Sequence, residues 1–157
     1  MNKLITAVFV LITISGSLFA QTNKEEIELF QSVFGMEKKA IVSGFIKLED
    51  QSKEAFWTLY DQYETERKVL GQKRISLLMD YAQNYNDLND EKIDALMTDM
   101  IKQKASTDKL INAYYKKIKK ASGSKAAAQF LQLENYLLSV IRASIFENIP
   151  FIGELEN

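Results

Sequence analysis

Residues 48–85 read LEDQSKEAFWTLYDQYETERKVLGQKRISLLMDYAQNY, and their spacing predicts one long amphipathic helix. Phe56, Tyr60, Tyr63, Arg67, Leu70, Arg74, Leu77 and Tyr81 step by four, three, four, three. That is the seam of a helix packed along a partner. Ile75, Leu78, Ala82 and Tyr85 widen the face in the C-terminal half. Strict alternation, the mark of a half-buried strand, is absent. At ~1.5 Å per residue such a helix spans on the order of 50 Å, so an elongated molecule is expected. Gly71 inside it points to a close backbone contact or a bend.

The chain around this stretch has 157 residues, enough for one domain. It is 46% hydrophobic and 26% charged, which places it among foldable rather than disordered sequences. A single proline and six glycines favour few, long helices over many short strands. The net charge of −1 gives no field for nucleic acid. The sequence contains neither cysteine nor histidine. Disulfides, thiolate nucleophiles, imidazole bases and nearly all zinc or copper chemistry are therefore outside its means. Carboxylates remain as metal ligands, but the Asp87-Asn89-Asp90-Glu91 cluster lacks the spacing of a calcium loop and reads as a turn with a helix cap. No phosphate-binding loop, nucleophile elbow or dinucleotide fingerprint occurs. No cofactor, metal site or catalytic group is expected.

Residues 1–20, MNKLITAVFVLITISGSLFA, have the form of a secretory signal peptide: Lys3, an apolar core from Leu4 to Ile14, and Ala20 at the cleavage point, with Ser17 as an alternative. The apolar run is short for a membrane anchor. The expectation is an exported, periplasmic protein, and without cysteine it is not a lipoprotein. Residues 21–157 then form a single helical domain. Asn23 to Phe34 reads as a short first helix, capped by Asn23 with Glu26 and ended by Gly35. Met36 to Leu48 is open between a second short helix and an extended connector. The long helix starts near Asp50, and Asn89 and Asp90 open a second one that runs to about Ala121. Ala121-Ser122-Gly123-Ser124 marks a break, and a third long helix, apolar on most sides, runs from Lys125 to about Asn148. Pro150 stops it, and residues 151–157 read as a loose tail. The expected fold is all-α: an elongated antiparallel helical hairpin or bundle of three long helices, with a short N-terminal helical segment.

Three groups of residues stand out. Lys116, Lys117, Lys119 and Lys120, beside Tyr114 and Tyr115, form the most basic patch. It reads either as a site for an anionic partner or as a solvated helix end that complements the dipole. Trp57, with Phe56, Tyr60 and Tyr63, reads either as a binding face for apolar segments or as core at helical spacing. Arg67, Arg74, Glu134 and Arg142 are charges in apolar surroundings. Glu134 is expected to pair across helices with Arg67 or Arg74, fixing register.

Phe45-Ile46-x-Leu48 followed by Phe56-Trp57-x-Leu59-Tyr60-x-x-Tyr63 resembles small exported proteins of Bacteroidetes-type bacteria, some described as sensors linked to extracytoplasmic-function sigma factors. In wider outline, over roughly residues 36–148, the chain resembles the Spy/CpxP-like periplasmic stress proteins. That resemblance implies an elongated helical hairpin dimer whose concave face binds unfolded proteins without ATP. The repeated L-T-x-x-Q of that family stands here as Leu48-Glu49-Asp50-Gln51-Ser52 and Leu88-Asn89-Asp90-Glu91-Lys92, without its threonine or its glutamine in register. The resulting expectation is a non-enzymatic chaperone of the stress response, or a modulator of envelope stress signalling, acting on unfolded or envelope proteins as a homodimer. A specific regulatory partner of one folded protein is the second reading. Peripheral membrane contact through the lysine-rich end is the third.

Overall fold

The computed structural model describes residues 24–154, with side chains from Phe34 onward. The signal-peptide reading and the Asn23 cap fall outside the described residues. The described chain forms three α-helices, α1 (Lys24–Phe45), α2 (Asp50–Asn84) and α3 (Asp90–Asn148), with a 3-10 turn at Tyr85–Asp87 between the last two. It contains no strand among the described residues, so the fold is all-α.

The helix inventory differs from the expected three long helices behind a short segment. α1 runs unbroken through Gly35 and takes in most of the connector that sequence left open. Its register explains this. Lys38, Val42 and Ile46 recur every four residues and are all buried, so one face of the helix is held by tertiary packing. A Cβ at Gly35 would meet Glu64 Oε2 and Lys68 Cε at 3.5 Å, ordinary contact, so the glycine sits where α1 passes close over α2. Ile46 still donates its amide to the Val42 carbonyl at 2.8 Å, and the chain leaves the helix there, with Glu49 extended before α2.

α2 begins at Asp50 as its sequence indicates, with that carboxylate in the positive first turn. Phe56, Tyr60 and Tyr63 lie in the core, and Tyr81 is buried at the far end. Asn84 closes the helix by donating its side-chain amide to the Asp80 carbonyl at 2.9 Å. Asn89 then caps α3, its side-chain oxygen accepting from the Lys92 amide at 3.0 Å.

α3 is 59 residues long and takes in both helices expected after the turn. Its backbone is helical throughout except at Gly123, with φ 84° and ψ 167°, a conformation open essentially to glycine alone. On a straight helix Asp108 and Arg142 would stand roughly 50 Å apart; Arg142 Nη2 lies 3.9 Å from Asp108 Oδ1. The chain therefore folds back at Gly123. The Ser122 hydroxyl donates to the Ser52 carbonyl, at 3.3 Å, and ties the bend to α2. Ala126 and Ala127 are buried just past the bend, where small side chains let the returning leg come close. Down the α2 seam, Ser122 meets Ser52, Tyr114 meets Glu66 and Gln103 meets the Leu70 carbonyl. Numbers fall on one helix as they rise on the other, so the first leg of α3 runs antiparallel to α2.

The tail beyond Pro150 is not loose as far as Glu154. Tyr81 and Tyr85 donate their hydroxyls to the Pro150 and Phe151 carbonyls, each at 2.7 Å. The Phe151 amide in turn donates to Glu154 Oε2 at 2.7 Å.

Candidate functional site

Packing density is unevenly distributed along the helices. The half nearest Gly123 holds a continuous core of Val42, Ile46, Phe56, Tyr60, Tyr63, Tyr114, Ile118 and Phe130. Tyr63 is its hub, meeting the Tyr114 ring at 5.4 Å and the Phe130 ring edge-on at 5.1 Å.

Set into this core is a group of charges, four of them on described residues. Lys38 of α1 is 2% exposed, and its ammonium lies 2.7 Å from Glu64 of α2 and 2.7 Å from Glu134 of α3. Both Glu134 oxygens are near; Oε2 takes the aligned hydrogen bond. Tyr63 donates its hydroxyl to the same Oε2 at 2.6 Å. Arg67 holds Glu64 through Nε at 2.9 and 3.0 Å. Among the described residues two cations thus face two carboxylates, and such pairing lets charges remain in an apolar interior. Burial, with the Glu134 charge and hydrogen bond beside it, pushes the Tyr63 hydroxyl well above its usual 10.0. Tyr60 is pushed the same way by burial and then by Glu64. Both phenols therefore stay protonated, and Tyr63 stays a donor, at any physiological pH.

This corrects the expected pairing. The cation of Glu134 is Lys38, not Arg67 or Arg74. Arg67 joins the group through Glu64, its own neighbour three residues back. Arg74 lies further along, its pKa lowered by burial and by Arg142. The signal for Lys38 was present in the four-residue step to Val42 and Ile46. It was unreadable because Lys38 and Lys39 are identical in kind, and only the helix register decides which one points inward.

The candidate binding residues separate. Tyr114 is buried, with its hydroxyl donating to Glu66 at 2.6 Å, so it is not a surface contact. Burial and that hydrogen bond push its pKa up to about 12. Tyr115 is half-buried against the core. Lys116, Lys117, Lys119 and Lys120 are exposed, and the Lys117 ammonium caps the Tyr114 ring at 4.1 Å. Trp57 is half-buried at the core rim, edge-on to Phe56 and Tyr60, with Lys39 over its ring at 5.3 Å.

The other half of the molecule was not singled out by sequence. There Leu77, Leu78, Ile93, Met97, Ile141 and Ile145 are all only half-buried. Tyr81 and Leu96 are the buried hydrophobic side chains among the described residues of that half. Val69, Ile101, Phe146 and Phe151 are each at least 60% exposed. Along three helical legs a strip of apolar side chains thus stays half-buried rather than sealed. A helix pattern cannot separate such a strip from a sealed core, because both need the same spacing.

Among the described residues no cluster of three or more histidine, cysteine, aspartate or glutamate side chains could hold a metal ion. No described helix is long and apolar enough to cross a membrane. No protein-family model, curated protein or solved structure matches this chain.

Proposed function

We propose that this chain is an exported, periplasmic, non-enzymatic binding protein, an elongated antiparallel helical hairpin that holds unfolded proteins or modulates envelope stress signalling without ATP. The observation that carries the reading is the strip of half-buried apolar side chains on α2 and both legs of α3. A closed bundle of this length would bury Leu77, Met97 and Ile141; leaving them half-open retains apolar surface for a partner. The sequence likeness to Spy/CpxP-like proteins supports the same reading, as does a secretion-type N-terminal stretch. A thin single-chain bundle buries little surface, so we take a homodimer as the working assembly.

The tightly packed Gly123 half serves in this account as the rigid mount. Its ion-paired core fixes α1, α2 and α3 in one register, and the open half extends from it. The exposed lysines near Gly123 also leave room for peripheral contact with anionic headgroups, the third reading from sequence.

The test is suppression of aggregation of an unfolding model protein, without nucleotide, at near-equal molar ratio. Suppression is the expected result. A folded sample that leaves aggregation unchanged would overturn general client binding and favour a single regulatory partner, to be sought by crosslinking in the native envelope.

A further inference from the structure

The two ends of the molecule carry opposite charge. From Ala113 to Lys125, around the bend, there are five lysines and no carboxylate. From Asp80 to Asp99, around the α2–α3 turn, there are six carboxylates and one lysine. The ends lie roughly 50 Å apart along α2, several screening lengths at physiological salt. Each end therefore meets a partner on its own terms.

At the acidic end the surface is also concave, with an apolar floor and polar walls. A cleft of about 270 Å³ opens between α2 and α3. Leu77, Tyr81, Leu88 and Leu96 supply its apolar lining, and Asp80 of α2 and Asp99 of α3 stand on its two walls. Lys92 also lines it, but its ammonium is turned to the Asp87 carbonyl at 3.1 Å. The carboxylates are only lightly engaged. Asp80 accepts from the Asn84 amide at 2.9 Å, and Asp99 faces Lys102 at 3.5 Å in an exposed pair. The same end carries a shelf of exposed aromatics, Phe146 stacked on Phe151 at 5.8 Å. Tyr81 joins cleft and shelf by lining the one and donating to the Pro150 carbonyl beside the other.

We propose that this cleft and shelf form a docking site for a cationic, amphipathic segment of a partner protein. A lysine or arginine inserts its aliphatic stem between Leu77, Leu88 and Leu96, and its charged head meets Asp80 and Asp99. An adjoining apolar side chain of the segment lies on Phe146 and Phe151. Charge complementarity selects this occupant: the rim repels anionic lipid and acidic peptides alike. The site stands whether or not the protein suppresses aggregation in general, since a single regulatory partner could use it equally.

The experiment is fluorescence anisotropy of the protein with two labelled peptides of equal length, one alternating leucine with lysine and one alternating leucine with glutamate. The lysine peptide is expected to bind, and the glutamate peptide is not. Asp80→Asn with Asp99→Asn is expected to weaken binding by about tenfold, and rising salt to weaken it further. Hydrogen exchange of the unmodified protein should slow across residues 77–99 when the lysine peptide is added, which keeps the test independent of how the variant folds. Equal binding of both peptides, or undiminished binding to the folded double variant, would overturn the proposal. So would peptide binding that vanishes as protein concentration rises, because a second copy would then be the occupant.

Discussion

Lys38 joins all three helices through one buried ammonium. That ammonium is shared by Glu64 and Glu134, so it ties α1 to both of the other helices. Removing one member of a buried ion pair leaves the other charges uncompensated, at a cost of about 3–5 kcal/mol. Lys38→Ala is therefore expected to lower unfolding free energy by that amount in a urea titration. Lys38→Met with Glu134→Gln should recover part of it, since it removes charge on both sides. A Lys38→Ala protein as stable as the parent would mean that water reaches the cluster. Tyr60 and Tyr63 make a second prediction at the same scale. Their folded pKa values lie above 10.0, so the folded state keeps protons that the unfolded chain gives up. Stability from these groups is present in full below about pH 10 and falls as pH rises past it, by about 1.4 kcal/mol per unit for each such group. Thermal melts from neutral to alkaline pH should show that decline. Tyr63→Phe should make it shallower.

At the scale of the element, Gly123 decides the topology of α3. Nothing lies within 4 Å of the position a Cβ would take, so steric room is not the constraint. The constraint is the backbone, with φ 84° and ψ 167°. Gly123→Ala is expected to cost about 1–3 kcal/mol, read as a lowered melting temperature with the helical circular dichroism retained. Unchanged stability would place the reversal elsewhere. α2 and the Asn89 cap were legible from spacing and cap chemistry, and so was the break at Ser122–Ser124, because local signals determine them. α1 was not. Gly35 reads locally as a stop, and only packing of Lys38, Val42 and Ile46 on α2 and α3 overrides it. The tie on Pro150 and Phe151 was not legible for a similar reason. Its anchors, Tyr81 and Tyr85, lie more than sixty residues away in sequence.

Across the whole molecule, apolar spacing gave the all-α class but not how completely each stripe is covered. Phe56 and Leu77 lie on one seam with the same periodicity; Phe56 is sealed in the core and Leu77 is half-open. The difference comes from what lies opposite. Phe56 and its neighbours face Ile118, Ala126 and Phe130 of the bend, and the returning leg gives Leu77 no such cover. The sealed half supplies rigidity, and the proposed binding falls to the open half. Hydrogen exchange of the protein with and without an unfolded client tests that division most directly. Slower exchange in residues 70–103 and 137–149 on client addition, with the Gly123 half unchanged, is the predicted result. Protection confined to the lysine-rich bend, with the open half unaffected, would contradict it.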